Sequence, residues 1–426
     1  MSLATQKKKF RSLTIWFSCA LAIIVARLMY LQVHLNDALL TQSKKNYMRI
    51  EKIASPRGNI VDRNGELLVT NRPITDLYWY GSGNKILTAE QHATLITLES
   101  IIDKQVKTDG DLIATITHAE RYRKKVLLAC DLSFEQLSKL EEQFPQNHNI
   151  QLVTQFKRFY PYTTFASHLL GYLGHFDMEV GGKMGLEQLM EDQLKGHHGT
   201  LLHTTNSLGQ QLSSVEIQKP FAGNTIQTTL DINLQTIIET VFPEQESGTA
   251  LVVDPEDGGI LALVSRPNFD PGLFLDPISS EDWHALQERQ PFLNRAFNTC
   301  YPPGSLFKLV SVSAALEQHV ISQDTIVNCH GHVTFAGRKY HCARTTGHGE
   351  LTTCEAVAHS CNILFFEIGK RLDIDLLAEY AHMFGLGEKT NILFSEKTGL
   401  IPCRAWKKQV KKERWWAGET LSAAIG

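Results

Sequence analysis

A long apolar segment near the N-terminus constrains how this chain can fold. Residues 12–26 contain no charged side chain, and apolar character resumes at 28–33 after a single arginine, Arg27. The 22 residues from 12 to 33 fall within the ~17–25 that a helix needs to cross a bilayer. We therefore predict a single transmembrane helix, followed by folded domains on one side of the membrane.

The charges that flank this segment predict its orientation. Lys7, Lys8, Lys9 and Arg11 precede it, and such basic flanks stay in the cytoplasm. The rest of the chain is then extracytoplasmic. A cleaved signal peptide is the alternative, but no small-x-small cleavage site closes the segment. Arg27 is costly in the bilayer unless its side chain snorkels to the interface or pairs.

Composition indicates how many domains the chain can form and which partners it is suited to. The 426 residues are 43% hydrophobic and 20% charged, enough for two folded domains beyond the N-terminal segment. The formal net charge of −3 gives no indication of a nucleic-acid partner.

A serine and a lysine are spaced for catalysis in Pro302-Pro303-Gly304-Ser305-Leu306-Phe307-Lys308. Residues i and i+3 share a helix face, so Ser305 and Lys308 can meet locally. A lysine kept neutral by burial and neighbouring cations could take the serine proton. The preceding Pro-Pro-Gly suits a turn into a helix start, where the helix dipole favours an oxyanion. An ordinary helix with a surface lysine is the alternative.

A second element lies 55 residues after the serine, in Ser360-Cys361-Asn362. Alternate residues of a short loop point the same way, so Ser360 and Asn362 are expected to face the site while Cys361 points behind it. Ser-x-x-Lys followed by Ser-x-Asn resembles penicillin-binding proteins and serine β-lactamases.

Further motifs narrow the resemblance to class B penicillin-binding proteins, the monofunctional peptidoglycan transpeptidases. These motifs are Asn294-Arg295-Ala296 before the nucleophile, Ala250-Leu251-Val252-Val253-Asp254-Pro255, the entry motif Ser55-Pro56-Arg57-Gly58, Arg158-Phe159-Tyr160-Pro161 and Gly185-Leu186-Glu187. Gly347-His348-Gly349 and Gly418-Glu419-Thr420-Leu421 look most like the elongation-type group, penicillin-binding protein 2. The septal, division-specific transpeptidase is the second candidate.

The resemblance implies an α+β chain with three parts. Residues 1–34 are expected to form the cytoplasmic tail and transmembrane anchor. Residues 35–240 correspond to an elongated mixed α/β pedestal of the dimerisation type. Residues 241–426 correspond to a β-lactamase-like penicillin-binding domain, an antiparallel sheet with helices packed against it.

Local patterns predict individual elements as well. Asn64-Gly65 between apolar runs predicts a hairpin, and Asp-Pro-Glu-Asp-Gly-Gly at 254–259 predicts another. Residues 135–144 read as a helix, and 225–231 as a strand leading into helix 232–242. The charge run 407–414 is expected to be a solvated loop.

The resemblance also implies a mechanism and partners. Ser305 would attack the penultimate D-alanine of a peptidoglycan stem peptide, with Lys308 as general base. Ser360 would relay a proton to the leaving amine, and Asn362 would bind the lysine or a substrate amide. β-Lactam antibiotics would acylate Ser305, and the chemistry requires no cofactor. The expected location is the inner membrane, with a membrane glycosyltransferase of the elongation machinery as partner.

The cysteines raise a separate question. Four of the eight, Cys329, Cys342, Cys354 and Cys361, lie around the Ser-x-Asn loop, interleaved with histidines. Cys329, Cys342, His348 and Cys361 form a Cys₃His set suited to structural zinc. The alternatives are a Cys329–Cys342 disulfide, which an extracytoplasmic location permits, and free thiols.

The third motif of the family departs from expectation. Lys-Thr-Gly should lie on an edge strand well downstream of Ser-x-Asn, but Lys397-Thr398-Gly399 follows Ser360 by only 37 residues and occupies the position of a helix-linking loop. The 426 residues end before the expected motif, so we expect this chain to be C-terminally truncated and to acylate penicillin poorly. A non-catalytic scaffold of the wall-synthesis complex therefore remains an alternative. A β-lactamase is disfavoured because it needs neither pedestal nor anchor.

Overall fold

A computed structural model describes residues 3–102, 110–145, 147–176, 179–205, 211–276 and 278–426. The helices are α1 (Leu3–Met29), α2 (Asn36–Tyr47), α3 (Ala89–Ile102), α4 (Gly110–Tyr122), α5 (Phe134–Gln143), α6 (Ser167–Leu170), α7 (Gly185–Leu189), α8 (Glu191–Leu194), α9 (Ile232–Val241), α10 (Ser280–Glu288), α11 (Lys308–Glu317), α12 (Thr353–Ala358), α13 (Asn362–Arg371), α14 (Ile374–Met383), α15 (Arg404–Trp406) and α16 (Ala417–Ala423). Short 3₁₀ turns cover Pro271–Leu275 and Gly304–Phe307, and π-helical turns cover Tyr30–His34 and Lys407–Lys411.

The strands lie between these helices, singly or in runs of up to four. They are β1 (Met48–Ile53), β2 (Ile60–Val61), β3 (Leu67–Tyr80), β4 (Lys125–Ala129), β5 (Ile150–Phe159), β6 (Leu173–Phe176), β7 (Glu179–Gly182), β8 (Gly199–Thr205), β9 (Gln211–Gln218), β10 (Ile226–Gln227), β11 (Gly248–Val253), β12 (Ile260–Arg266), β13 (Ile326–Cys329), β14 (His332–Phe335), β15 (Arg338–His341) and β16 (Gly349–Thr352). This mixture of helices with largely antiparallel strands confirms the predicted α+β class.

The N-terminal helix carries the predicted apolar segment. Within α1 and the π-helical turn after it, Leu13–His34 spans 22 residues with a mean hydropathy of 1.9, and none of these residues is buried in the protein. The helix is long and apolar enough to cross a membrane. The guanidinium of Arg27 lies 5.3 Å from the ring centre of Tyr30, one turn further along.

The chain forms two compact units. The first comprises Met1–Thr163, Tyr172–Ile232 and Asp270–Pro277, and the second comprises Thr164–Gly171, Asn233–Phe269 and Ile278–Gly426. Residues 164–171 therefore belong to the second unit although the residues on either side of them belong to the first. Residues 270–277 belong to the first unit although their neighbours belong to the second.

The first unit is built around β3. This strand pairs antiparallel with β5 over ten residue pairs and with β2 and β4, while β10 adds to β2 in parallel. Helices α3, α4 and α5 cover the sheet, and their core contains Leu77, Trp79, Leu98 and Leu128. A second sheet has the order β1-β8-β9.

The β2–β3 hairpin confirms the Asn64-Gly65 prediction. Gly65 has φ of +91°, a backbone conformation that favours glycine. The buried Asp62 carboxylate accepts hydrogen bonds from the backbone N–H groups of Asn64 and Glu66, at 2.7 and 2.9 Å. Burial is the largest single influence and raises the pKa of Asp62. These bonds, together with one from the Ile232 N–H, outweigh it, so the pKa is lowered.

Within the described residues, the strands of the second unit form three two-stranded antiparallel sheets: β11–β12, β13–β16 and β14–β15. Helices α11, α13 and α16 share one core with residues such as Ala314, Phe365 and Leu421. Gly369 on α13 lets α16 approach, because a Cβ there would lie 3.0 Å from the Thr420 carbonyl oxygen.

Most local element predictions are confirmed by α5, α9 and the β11–β12 hairpin. Two need correction. The strand predicted over 225–231 is limited to β10, because its partner β2 has only two residues. In the charge run 407–414, residues 407–411 form a π-helical turn and 412–414 are irregular and exposed, as predicted. Lys407 alone is buried, and its amine pairs with Glu419.

Candidate active site

Ser305 lies in a 3₁₀ turn that leads directly into α11. The turn spans Gly304–Phe307, and Gly304 has φ of +54°, which a β-carbon would strain. Pro303 precedes it with φ of −71°, the value that its ring imposes. Ser305 is exposed, whereas Lys308, one turn later, is only 4% exposed. The predicted serine and lysine thus face one site, with the serine accessible and the lysine shielded.

A hydrogen-bond network joins the four predicted catalytic residues. The Lys308 ammonium donates to the Ser360 carbonyl oxygen at 2.8 Å, to Ser360 Oγ at 2.9 Å and to Asn362 Oδ1 at 2.6 Å. Ser360 Oγ in turn donates to Ser305 Oγ at 3.0 Å. The hydrogen-bonded route from Ser305 to Lys308 therefore passes through the Ser360 hydroxyl.

The Ser-x-Asn loop is shaped by the helices on either side of it. Ser360 follows α12 with φ of +51°, a strained conformation for a residue with a β-carbon and one that clusters at functional sites. Cys361 is fully buried before α13 begins. Asn362 Nδ2 donates to the His341 carbonyl oxygen at 3.1 Å, which fixes the amide so that its oxygen faces Lys308.

Burial is the main influence on the lysine. It lowers the pKa of the Lys308 amine below its ordinary value, while Cys342 and Cys361 act in the opposite direction. The Lys308 amine also lies 5.2 Å from the ring centre of the fully buried Phe365. An amine with a lowered pKa loses its proton more readily, as a general base must.

The Cys₃His residues form a compact cluster behind the Ser-x-Asn loop. The ligand atoms of Cys329, Cys342, His348 and Cys361 all lie within 4.8 Å of one another. His348 Nδ1 lies 3.5 Å from Cys329 Sγ and 3.6 Å from Cys342 Sγ, and the Cys342 and Cys361 sulfurs are 4.0 Å apart. The structure has all three cysteines as free thiols.

Two glycines allow the loops around this cluster to close. A β-carbon on Gly331 would lie 2.0 Å from the Thr345 carbonyl oxygen, and one on Gly347 would lie 2.1 Å from the Cys329 carbonyl oxygen. Both have positive φ, at +88° and +83°. The cluster therefore depends on glycine at both positions.

Comparison with known proteins assigns both parts of the chain. Residues 52–228 match the model of the penicillin-binding protein dimerisation domain, and residues 248–426 match that of the penicillin-binding protein transpeptidase domain. The peptidoglycan D,D-transpeptidase MrdA of Salmonella typhimurium (strain SL1344) is 31% identical over 95% of this chain and 68% of its own length. The chain belongs to the class B penicillin-binding proteins, in the elongation-type group.

A second relative and a solved structure support this family assignment. MrdA of Acinetobacter baumannii is 30% identical over 99% of this chain, and the chain spans 65% of that relative's length. The structure of penicillin-binding protein PBP2 in complex with MreC from Helicobacter pylori aligns with a TM-score of 0.72 at 27% identity, over 89% of this chain and 73% of that one. These matches confirm the predicted fold class, an α+β pedestal followed by a transpeptidase fold.

The apparent Lys-Thr-Gly motif of this class B protein lies outside any strand. Lys397-Thr398-Gly399 occupies an irregular segment, where the Lys397 N–H donates to the Phe297 carbonyl oxygen at 2.8 Å. Its position agrees with the prediction that it is not the third motif of the family.

Two contributors to the site were missed from the sequence. Phe365 borders the lysine, and its position three residues after Asn362 on a helix could have indicated this. The His341 carbonyl oxygen orients Asn362, but a backbone acceptor leaves no signal in residue identity.

Proposed function

We propose that this chain is a peptidoglycan D,D-transpeptidase of cell elongation that works through an acyl-enzyme on Ser305. The observation that carries the proposal is the 3.0 Å hydrogen bond from Ser360 Oγ to Ser305 Oγ, continued at 2.9 Å to the Lys308 amine. An exposed nucleophile connected to a buried amine of lowered pKa is suited to acyl transfer.

In the first half-reaction, Ser305 Oγ attacks the carbonyl carbon of the penultimate D-alanine of a stem peptide. The serine proton passes through the Ser360 hydroxyl to the neutral Lys308 amine, and a C–O bond forms. The C–N bond to the terminal D-alanine then breaks, and the same route returns the proton to the leaving amine. The products are an ester on Ser305 and free D-alanine.

In the second half-reaction, an amine of a neighbouring stem peptide attacks the ester carbonyl. A C–N bond forms, the C–O bond to Ser305 breaks, and the proton lost by the amine restores the serine hydroxyl. β-Lactams undergo only the first half-reaction. Opening of their ring releases no separate leaving group, so the ester on Ser305 persists.

Labelling by a fluorescent penicillin tests this proposal, using the protein expressed from its own gene in its own membranes. We expect an adduct on the peptide that contains Ser305, lost in Ser305→Ala and retained in the exposed-site control Ser138→Ala. The 426 residues by themselves are still expected to label poorly. A folded protein with no adduct on Ser305 would contradict the proposal and favour the non-catalytic scaffold.

We also propose that α1 anchors the protein in the inner membrane as a single pass, with its N-terminus in the cytoplasm. The apolar segment 13–34 and its preceding basic residues support this orientation. A membrane-impermeant thiol reagent should label the exposed Cys130 and Cys354 in spheroplasts. The Ala4→Cys variant should gain a label near its N-terminus only after permeabilisation. Labelling of that introduced thiol in intact spheroplasts would reverse the topology.

We further propose that the Cys329, Cys342, His348 and Cys361 cluster holds a structural zinc ion. Sulfurs bound tetrahedrally at about 2.3 Å from zinc would be about 3.8 Å apart, and sulfur and nitrogen about 3.5 Å. The 4.0 Å and the 3.5–3.6 Å separations agree with this geometry. Because Cys361 lies between Ser360 and Asn362, the ion would hold the loop that carries both.

The partner we propose follows from a relative. The Helicobacter pylori protein was solved as a complex with MreC, and we propose that this chain binds a protein of that kind and works beside a membrane glycosyltransferase. Co-purification of the tagged protein with the MreC and glycosyltransferase homologues of its own organism tests this, and recovery of neither would contradict it.

A further inference from the structure

A loop of the second unit packs against the segment that leads to the nucleophile. We name residues 394–401 the strap. The Phe394 ring stacks on Phe297 with centroids 5.3 Å apart and planes 23° apart, and the Lys397 N–H donates to the Phe297 carbonyl oxygen at 2.8 Å.

Two more contacts extend this attachment toward Ser305. Asn298 Nδ2 donates to the Ser395 carbonyl oxygen at 3.0 Å, and Cys300 Sγ donates to the Thr398 carbonyl oxygen at 3.5 Å. The four residues between Cys300 and Ser305 include two prolines, which have little backbone freedom. The orientation of residues 297–300 therefore limits the positions that the nucleophile turn can take.

The end of the strap contacts the other flank of the nucleophile. Ile401 packs against a small cluster that contains Phe307 and Val310, which follow Ser305 in the chain. The region before the strap fixes its shape, because the Glu396 carboxylate accepts from Thr390 Oγ1 at 2.8 Å and from the Asn391 N–H at 3.0 Å.

We infer that the strap is a positioning element for acyl transfer. It holds the chain before Ser305 through the Phe394 ring and the Lys397 backbone N–H, and the chain after Ser305 through Ile401. The inference rests on the proposed function.

Within the turn that carries Ser305, Ser305 and Leu306 are exposed and Gly304 is left-handed. Phe307 is buried in the cluster that the strap contacts. A displacement of a reacting group by about 1 Å can lower the rate about 10²-fold. Contacts that fix the position of Ser305 therefore affect the rate of acyl transfer.

Kinetics of penicillin acylation test the role of Phe394, in the protein expressed from its own gene. Phe394→Ala should lower the acylation rate constant about tenfold while the non-covalent dissociation constant stays within about twofold. Phe394→Tyr, which keeps the ring, should restore the rate. Leu393→Ala is the matched control, since Leu393 is the apolar neighbour and is 66% exposed.

Substitutions at Lys397 test the backbone hydrogen bond to Phe297 separately. Lys397→Pro removes the N–H donor, whereas Lys397→Ala removes only the exposed side chain. We expect slow acylation in the proline variant and a normal rate in the alanine variant. Equal loss in both would show that the lysine side chain acts instead, and would overturn the inference.

Hydrogen exchange gives a readout that does not require activity. Phe394→Ala should speed exchange in peptides covering 301–307 and leave those covering α13 unchanged. Unchanged exchange at 301–307, or a rise in the dissociation constant with an unchanged rate constant, would contradict a positioning role. Absence of acylation in the unmodified protein would instead contradict the proposed function, and exchange would still decide the role of the strap.

Discussion

Lys308 Nζ lies 2.6 Å from Asn362 Oδ1, the shortest of the three hydrogen bonds that the lysine donates. The three acceptors match the three donors of an ammonium group, so this geometry holds the protonated lysine. The neutral amine has one donor fewer and one lone pair to accept a proton. Loss of a proton therefore frees the lysine to take one from the Ser360 hydroxyl.

The role of the lysine predicts a large kinetic effect. Lys308→Ala removes the proton acceptor, so we expect penicillin acylation of Ser305 to slow by about 10²–10⁴-fold. Lys308→Arg should be equally slow, because a guanidinium keeps its charge but does not lose its proton. Lys370→Ala, which removes a lysine paired with Glu367, should acylate normally. A rapid Lys308→Ala variant would exclude the lysine as base.

The zinc proposal predicts one metal ion per chain. Elemental analysis of the purified protein should find zinc, and Cys361→Ser should lose most of it and acylate more slowly. Cys361 touches neither substrate nor nucleophile, so the slower rate would come from a loosened Ser360–Asn362 loop. The exposed Cys354→Ser should keep both metal and rate. Metal-free protein with a Cys329–Cys342 bridge by mass spectrometry would disprove the site.

The parts of the site that follow from local chain geometry could be predicted from sequence. Ser305 and Lys308 share a helix face by spacing, and Ser360 and Asn362 alternate around Cys361. The Cys₃His set was identified because its members lie within 33 residues that end in the Ser-x-Asn loop. Turn signals such as Asn64-Gly65 placed hairpins correctly, since turns depend on a few adjacent residues.

Contacts between distant segments could not be predicted in this way. The stacking of Phe394 on Phe297 joins loops far apart in sequence, and neither loop has a periodic pattern. Lys407 reads as part of a solvated charge run, but it is 6% exposed, and its amine pairs with Glu413 and Glu419. Such burial depends on which segments meet in the fold, which local sequence patterns do not specify.

A buried ion network predicts a large effect on the stability of the first unit. Glu187 is fully buried between Arg57 and Arg158, at 2.6 and 2.7 Å. Glu187→Gln leaves Arg158 without this ion pair and Arg57 with Glu191 alone, so we expect a loss of about 3–5 kcal/mol in unfolding free energy. Glu135→Gln, at a surface pair with Lys139, should leave stability unchanged. Chemical denaturation compares the two, and equal midpoints would show the network to be unimportant.

A buried histidine predicts how stability depends on pH. His168 is 2% exposed, and burial lowers its pKa from 6.5 to about 4, aided by Arg295 and Arg266 and opposed by the Pro291 carbonyl oxygen. The unfolded chain therefore binds a proton at higher pH than the folded protein. The stabilisation is complete above about pH 6.5 and is lost as pH falls toward 4, by about 3 kcal/mol in all.

Unfolding free energies measured between pH 7.5 and 4 test this expectation. His168→Gln should reduce the slope over that interval, since glutamine does not titrate, even if the variant is less stable at every pH. His284→Gln, at an exposed position on α10, should keep the slope of the unmodified protein. If the His168→Gln slope matches that of the unmodified protein, other groups account for the loss of stability in acid.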